Sequence, residues 1–355
     1  MNSKRMLSVA TAVLSLAAGL TAAYLYWPGE TTKDAGETEA ITQHALAGTG
    51  LTVSGPFKHK NLSIFLVHGK DSLNGRTPLT LEEAMKRKLV TVHETGDVGE
   101  LAIENVSKTE EVFVQAGDIV KGGKQDRVLT VDLIVPARSG RLPIESFCVE
   151  QGRWNGRGSE SPESFGSSTD YASSKELKIA AKHARSQTEV WQGVANTQNR
   201  LSDATNSNVA SEVSGSSLPL TLENENVRAR ASDYVNSLED IVSGKSDVIG
   251  FVFAINGRLN SAEVYGSRAL FLKLWPKLLR ASAIEAVAES LEHSKPGSVT
   301  TAGTAEFLDR ALSADVSEKR VVIERVTMVT RESKQSMLLE SRDRDVLLHR
   351  SYLNK

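Results

Sequence analysis

The feature that most constrains this chain is an uncharged segment close to its N-terminus. Residues 6–27 contain no Asp, Glu, Lys or Arg; Lys4 and Arg5 precede them, and a mainly acidic stretch begins at Glu30. A helix of these 22 residues would be about 33 Å long, which matches the apolar thickness of a bilayer. We therefore expect one transmembrane helix, a signal anchor, within residues 1–29.

The charges on either side of this segment predict its orientation. Basic residues favour the cytoplasmic side of a transmembrane helix, and here they precede the segment. The rest of the chain is therefore expected to lie outside the cytoplasm as the soluble part of a single-pass membrane protein. A cleaved signal peptide is the alternative, since small residues such as Ala22 and Ala23 could form a peptidase site. The product would then be secreted or periplasmic.

The composition limits the classes of partner. Hydrophobic residues make up 40% and charged residues 24% of the 355 residues, which is ordinary for a globular protein with a sizeable core. The net charge of −2 predicts no nucleic-acid partner, because such proteins present a basic face. Cys148 is the only cysteine and the seven histidines are scattered, so we expect no disulfide within the chain and no metal site. No pattern identifies a cofactor.

The order of predicted elements gives the domain organisation. Residues 30–54 are rich in Thr, Gly, Ala and Glu and are expected to form a flexible tether. An α+β domain is predicted over 55–292, with a polar, serine-rich mobile loop at 155–175. Residues 293–355 form a β-rich extension, of which 320–330 and 336–344 are predicted to be a solvent-facing hairpin.

Strands are indicated by short β-branched or apolar runs between turn residues. They are predicted at 62–67, 90–94, 101–106, 112–115, 127–135, 142–150, 248–255 and 259–265. The last two are joined by Asn256-Gly257, a specific hairpin signal. The runs at 127–135 and 142–150 are predicted to pair across a turn at Ser139-Gly140.

Helices are indicated by apolar residues at three- and four-residue spacing. They are predicted at 176–201, 227–242 and 268–291. Ser267 can cap the last of these, and Pro276 should kink or restart it. Because strands and helices come in blocks, the pattern favours an α+β fold with a mixed or antiparallel β-rich sheet and several packed helices over a doubly wound sheet.

The glycine-rich segment at 117–125 is compared first with a phosphate-binding loop. Gln125 stands where that motif needs Ser or Thr, and a strand follows instead of a helix. Triphosphate hydrolysis by this route is therefore not expected. A glycine turn carrying solvated Lys121, Lys124 and Arg127 is the plain alternative.

A polar cluster across the predicted hairpin favours a ligand site over a plain glycine turn. In an extended strand, Cys148 and Glu150 lie on one face about 6.6 Å apart. We expect Glu150 to be a candidate general base or acid, and Arg to grip an anion while Trp154 stacks a ring. The candidate ligand-binding residues are Lys124, Gln125, Arg127, Arg153 and Trp154. The alternative is a structural ion network in which Cys148 is a small buried hydrophobic residue.

Two motifs in this region resemble those of a known family. Residues 120–129 and 147–154 are similar to the two signature motifs of the ARG and rhodanese-phosphatase-superfamily-associated protein domain, where ARG means ADP-ribosylglycohydrolase. Together with a later segment at 250–279, the resemblance covers roughly 55–288. Asp126 departs from the asparagine expected in the first motif and adds an acid between two cations. The family name implies an association with ADP-ribose and phosphate chemistry and no defined activity.

These residues and motifs suggest three possible functions. The preferred hypothesis is a membrane-tethered extracytoplasmic domain that binds an anionic small molecule or a modified peptide. The second is a hydrolase of an ADP-ribose or phosphoester substrate, with Glu150 as base or acid and with Lys124 and Arg127 stabilising negative charge. The third is a structural module of the cell envelope.

Overall fold

A computed structural model describes residues 42–73, 75–290, 297–323 and 325–355. The expected anchor at 1–29 and the first part of the expected tether lie outside the described residues. Within the described ranges, no helix is both long enough and apolar enough to cross a membrane.

The fold is α+β, as predicted. Its strands are β1 Thr42–Ala45, β2 Thr52–His59, β3 Leu62–His68, β4 Leu79–Thr80, β5 Val90–Glu94, β6 Glu100–Asn105, β7 Val112–Val114, β8 Asp118–Gly122, β9 Arg127–Leu129, β10 Leu133–Val135, β11 Arg141–Cys148, β12 Phe165–Tyr171, β13 Val248–Ile255, β14 Arg258–Tyr265, β15 Val316–Ile323, β16 Val326–Glu332, β17 Ser336–Asp343 and β18 Val346–Asn354. Its α-helices are α1 Leu81–Lys86, α2 Lys175–Ile179, α3 Gln187–Thr205, α4 Leu218–Leu222, α5 Glu225–Leu238, α6 Arg268–Ala288 and α7 Thr301–Leu312.

The strands form three sheets. The largest has nine strands in the order β1-β2-β3-β13-β14-β18-β17-β16-β15, and every neighbouring pair in it is antiparallel. A six-stranded sheet has the order β12-β8-β9-β11-β6-β5, and a small third sheet pairs β4 with β7 in parallel. The predicted mixed or antiparallel sheet architecture is therefore confirmed.

The C-terminal strands are part of the largest sheet. β18 pairs with β14, and β17 pairs with β18. The predicted pairing of the two segments is confirmed for β16 with β17. Two parts of the prediction are wrong: residues 320–323 belong to the separate strand β15, and β17 is almost wholly buried instead of facing solvent. Charged residues that suggested exposure form ion pairs on this sheet, as Arg342 does with Glu340.

The two faces of the nine-stranded sheet are both covered. Phe65 and Val67 of β3 pack into a small core together with Phe307 and Leu308 of α7. The alternate residues of β3 point into the main core, which is shared with α6 and the other two sheets. This alternation follows from the two-residue period of a strand.

The predicted tether and the predicted Asn256-Gly257 hairpin have different outcomes. The predicted tether is wrong at its C-terminal end, because residues 42–45 and 52–59 already form strands of the sheet. Leu46, Leu51 and Val53 are buried there, and burial of apolar side chains stabilises these strands. The hairpin at Asn256-Gly257 is confirmed, with a positive φ of 52° and 71° at the two residues.

The predicted helices are present with two corrections. Ser267 caps α6 as expected, but α6 continues through Pro276 without a break. The helix predicted at 176–201 is interrupted, since a π-helical turn ends at Arg185 in the left-handed conformation and α3 begins after its cap Ser186. Its apolar period continues across the break, which is why the sequence suggested one helix.

The expected mobile loop at 155–175 is wrong in its second half. Residues 165–171 form β12, which pairs with β8, and Ser174 caps α2. Tyr171 is buried, whereas the serines of β12 are partly exposed. Two buried aromatic residues, Phe165 and Tyr171, and backbone pairing with β8 stabilise a strand whose other residues are typical of a loop.

The six-stranded sheet positions the predicted site. β9 and β11 pair as expected, with Arg127 opposite Cys148. The predicted hairpin is confirmed only there, because residues 133–135 turn away as β10 and pair with β7. The tight connection between β8 and β9 therefore lies beside the end of β11.

Candidate functional site

The structure brings the predicted residues together in two adjacent groups. Glu150, Gln125 and Arg153 belong to a buried hydrogen-bonded network. Lys124, Arg127 and Trp154 form a second group, in which both cations lie against the indole ring. We call the first group the carboxylate network and the second the tryptophan surface.

Glu150 is the centre of the carboxylate network and is fully buried. Arg153 grips it with a fork, from Nε to Oε1 at 2.7 Å and from Nη2 to Oε2 at 2.6 Å. The backbone N–H of Asp126 donates to Oε2 at 2.9 Å, and the Ser214 hydroxyl donates to Oε1. Both carboxylate oxygens therefore have donors already.

These donors set the ionisation state of Glu150. Burial alone would raise the pKa of this carboxyl, but hydrogen bonds from Arg153 and Ser214 outweigh it and the pKa is lowered. A general acid needs a raised pKa, and a general base needs a free oxygen. The geometry therefore favours a positioning role for Glu150.

Asp126 is the second acid of this network. Arg157 grips its carboxylate with Nη1 at 2.9 Å and Nη2 at 3.1 Å, and the Ser217 hydroxyl donates to it at 2.6 Å. The N–H of Gly122 donates to the other oxygen at 2.8 Å. The acid that departs from the expected asparagine thus has its own arginine.

The network fixes the backbone around the site. The carbonyl oxygen of Glu150 accepts from Gln125 Nε2 at 3.1 Å and from Trp191 Nε1 at 3.2 Å. Arg153 also donates to the carbonyls of Gly122 and Gly123. Gln125 and Arg153 therefore tie the β8–β9 connection to the segment after β11.

Arg127 differs from the arginines of the carboxylate network. It is fully buried, so the expectation that it is solvated is wrong. Its Nη1 contacts the Cys148 thiol, its Nη2 lies 3.5 Å from Glu94 Oε1, and neither Nε nor Nη2 donates a hydrogen bond within the described residues. Buried arginine groups are normally hydrogen-bonded, so this guanidinium is incompletely satisfied.

Trp154 covers this arginine from the solvent side. Trp154 as a whole residue is 42% exposed. Lys124 Nζ lies 5.1 Å and Arg127 Cζ 5.9 Å from the ring centroid. These are cation–π distances. The arrangement offers an exposed aromatic plane with two positive charges beside it.

Cys148 is a poor nucleophile in this environment. Burial raises the pKa of its thiol to about 11, although the neighbouring Arg127 lowers it in part. A thiol with this pKa is protonated at neutral pH, and the thiolate is the reactive species. Cys148 therefore behaves as the small buried residue of the alternative prediction.

Sequence reasoning missed a second charged cluster, in the core. His349 Nδ1 lies 2.8 Å from Asp132 Oδ2, and its Nε2 lies 2.8 Å from Glu263 Oε2. Lys182 Nζ donates to the Tyr171 hydroxyl at 2.9 Å, and that hydroxyl lies 3.3 Å from Glu263. A charged residue within an otherwise apolar run could have indicated this cluster. Asp132 is such a residue, because it lies within the strand predicted at 127–135.

This core cluster is sealed from solvent. None of its five side chains is more than 6% exposed. Burial alone would lower the pKa of His349, but the carboxylates of Asp132 and Glu263 raise it to about 9. His349 therefore joins two strands of the largest sheet to the segment between β9 and β10 through charged hydrogen bonds. No ligand can reach it in this conformation.

Comparisons with known proteins give one match. A family model described as the ARG and Rhodanese-Phosphatase-superfamily-associated Protein domain matches residues 50–353. The match extends beyond the motifs and includes the C-terminal strands of the largest sheet. No curated protein and no solved structure matches the chain. In the described part of the chain, no group of three or more His, Cys, Asp or Glu residues could hold a metal ion.

Proposed function

The chain belongs to the family of ARG and Rhodanese-Phosphatase-superfamily-associated Protein domains, as its motifs predicted, and we propose that it binds an anionic group at the tryptophan surface. The anion would be carried by a small molecule or by a modified peptide. Lys124 and Arg127 would supply the positive charge, and the Trp154 ring would stack against a planar part of the ligand.

The single observation that carries the proposal is the unsatisfied guanidinium of Arg127. A buried cation is costly unless acceptors surround it. Glu94 Oε1 at 3.5 Å is the carboxylate nearest to Arg127 Nη2, and this distance is too long for a good hydrogen bond. An anionic ligand would provide the missing acceptors and would relieve that cost.

Access to Arg127 requires a movement of Trp154. The guanidinium is fully buried while Trp154 above it is 42% exposed as a whole residue. Trp154 has exposed neighbours, Gly152 and Asn155, so its side chain can rotate without disturbing the core. The bound ligand would then lie between the ring and the two cations.

The state of Glu150 supports binding over hydrolysis. Its oxygens accept from Arg153, Ser214 and the Asp126 backbone, and its pKa is lowered. The thiol of Cys148 is held protonated by burial. Neither group has the free, ionisable form that acid–base or nucleophilic catalysis needs.

A structural module is the second candidate, and one observation favours it. Asp126, Glu150, Arg153 and Arg157 are mutually paired, and such networks can serve stability alone. In that case the tryptophan surface would only cover this network and would bind no ligand.

We also propose that the domain is tethered to a membrane and faces away from the cytoplasm. This rests on the sequence alone: the uncharged residues 6–27 follow Lys4 and Arg5 and precede an acidic stretch. A periplasmic-type reporter enzyme fused after Lys355 should be active. Activity only from a cytoplasmic reporter fused at the same position would contradict this topology.

The binding proposal is tested with a thermal-shift screen of the full chain. The probes are ADP, ADP-ribose, a hexose phosphate and a phosphoserine peptide, since a ligand that binds the folded state raises its melting temperature. Lys124→Ala and Trp154→Ala should each remove the shift, whereas Lys70→Ala, at an exposed lysine elsewhere, should keep it. No shift with any probe, or an equal shift in all variants, would favour the structural module.

A further inference from the structure

A cavity lies against helices α5 and α6. It has a volume of about 350 Å³, and its lining residues are Arg228, Ala231, Ser232, Val235, Pro276 and Arg280. The four from α5 are spaced three, four and seven residues from the first, so they share one face of the helix. The two from α6 are four residues apart and share a face in the same way. The cavity is therefore built on two helices, each of which contributes one face.

The charges in this cavity are predominantly positive. Arg228 is exposed, and its guanidinium makes no hydrogen bond or ion pair among the residues the structure describes, although its charge acts on the nearby Asp170 carboxyl. Arg280 Nη2 lies 3.4 Å from Asp170 Oδ1 and 3.4 Å from the Leu222 carbonyl oxygen. Asp170 is buried, and desolvation raises the pKa of its carboxyl. Both arginines therefore keep donors for a further acceptor.

The remaining walls of the cavity are mostly apolar. Ala231, Val235 and the Pro276 ring provide them, and the Ser232 hydroxyl adds one polar group. The proline ring adds only carbon atoms to this lining. Ligand sites combine an apolar lining with a few placed polar groups in this way, and a volume of this size suits a small molecule.

We propose that this cavity binds a small organic anion, in which a carboxylate or phosphate head contacts Arg228 and Arg280 and a short apolar tail contacts Val235 and Pro276. The guanidinium fork fits both head groups. The same chemistry occurs in a free metabolite and in the head group of an anionic lipid, and a membrane-tethered domain could meet either. This site is separate from the tryptophan surface and does not depend on it.

The test is a calorimetric titration of the full chain with butyl phosphate and with hexanoate, with inorganic phosphate as the probe that lacks a tail. Wild type should bind the first two in a saturable manner and inorganic phosphate about tenfold more weakly. Arg228→Ala and Arg280→Ala should each weaken binding about tenfold, since each removes charged hydrogen bonds. Arg230→Ala is the matched control, because Arg230 is exposed on the same helix and does not line the cavity.

Further variants separate a real site from general charge effects. Ser232→Leu should fill the exposed side of the cavity and abolish binding there without removing a charge. Co-sedimentation with phosphatidylcholine vesicles, with and without phosphatidylglycerol, distinguishes a lipid source from a soluble one. Absence of saturable binding to every probe and vesicle, or an equal loss in Arg230→Ala, would overturn the proposal.

Discussion

At the scale of single residues, the carboxylate network explains why Glu150 is buried. Its charge is matched by Arg153 and approached by Arg157 at 3.4 Å. Removing one member of such a buried set leaves an uncompensated charge, which costs far more than the set contributes as a whole. Substitution of Glu150, which the sequence suggested as a base, is thus expected to reduce the stability of the folded protein.

Glu150→Gln should lower the free energy of unfolding by about 3 kcal/mol, because the largely buried Arg153 loses its carboxylate and the buried Arg157 loses a nearby one. Urea denaturation at neutral pH measures this value. Glu163→Gln is the matched control, since Glu163 is exposed in the same connection, and its change should stay within about 0.5 kcal/mol. Equal stability of the Glu150 variant and wild type would contradict the network.

Asp126 and Arg157 should behave as a coupled pair. Asp126→Asn alone leaves the buried Arg157 guanidinium without the carboxylate that it grips. A second change, Arg157→Gln, removes this unpaired charge. We expect the double variant to be more stable than the sum of the two single changes predicts, with a coupling of roughly 1–3 kcal/mol. Strict additivity in denaturant unfolding would show that this pair does not interact.

At the scale of elements, glycine turns set where strands reverse. Gly257 in the β13–β14 hairpin and Gly244 before β13 both have a φ of 71°. A Cβ on Gly257 would lie 1.8 Å from the Gly297 carbonyl oxygen, whereas one on Gly244 would meet nothing within 4 Å. The two glycines therefore separate the cost of a positive φ from the cost of a close approach.

Gly244→Ala should cost about 1 kcal/mol of unfolding free energy, which is the price of placing a side chain at positive φ. Gly257→Ala should cost clearly more, roughly 2–3 kcal/mol, because a backbone segment must also move. Thermal unfolding of the two variants side by side gives the comparison. Equal losses would mean that the Gly297 contact is absent in solution.

Local sequence patterns predicted most strands and helices. The runs at β3, β5 and β13 alternate or are wholly apolar, and Asn256-Gly257 marks its hairpin. β12 was missed because its order comes from pairing with β8 and not from its own composition. The break at Arg185 was missed because a left-handed residue leaves the apolar period intact.

The candidate site was predictable only in part. Lys124, Arg127 and Trp154 were found because they lie beside a turn and a strand end in the sequence. The partner of Asp126 was not, because Arg157 is 31 residues away and reaches it through a folded connection. The burial of Arg127 also depends on that tertiary packing, so its unsatisfied donors could be seen only in the structure.

At the scale of the whole molecule, His349 joins distant parts of the chain. It contacts Asp132, which precedes β10, and Glu263 on β14. Its pKa is raised from 6.5 to about 9. A raised folded-state pKa means that the charged histidine stabilises the fold fully below the unfolded value and that this contribution is lost as pH rises through about 9.

Stability should therefore fall between pH 7 and pH 10 by about 2 kcal/mol from this group. His349→Gln should be less stable at pH 7 and should show a flatter profile over this range. Guanidinium unfolding at a series of pH values tests both points. A wild-type profile that stays flat up to pH 10 would show that His349 is neutral in the folded protein.

The central claim is that an anion binds where Arg127 lacks acceptors, under the Trp154 ring. An NMR titration of the indole N–H resonances with ADP tests it most directly, with Trp154→Phe to assign the relevant signal. The account predicts a saturable shift of the Trp154 resonance, little change at Trp191 and Trp275, and loss of the effect in Lys124→Ala. An unmoved Trp154 resonance, or equal movement of all the indole signals, would contradict it.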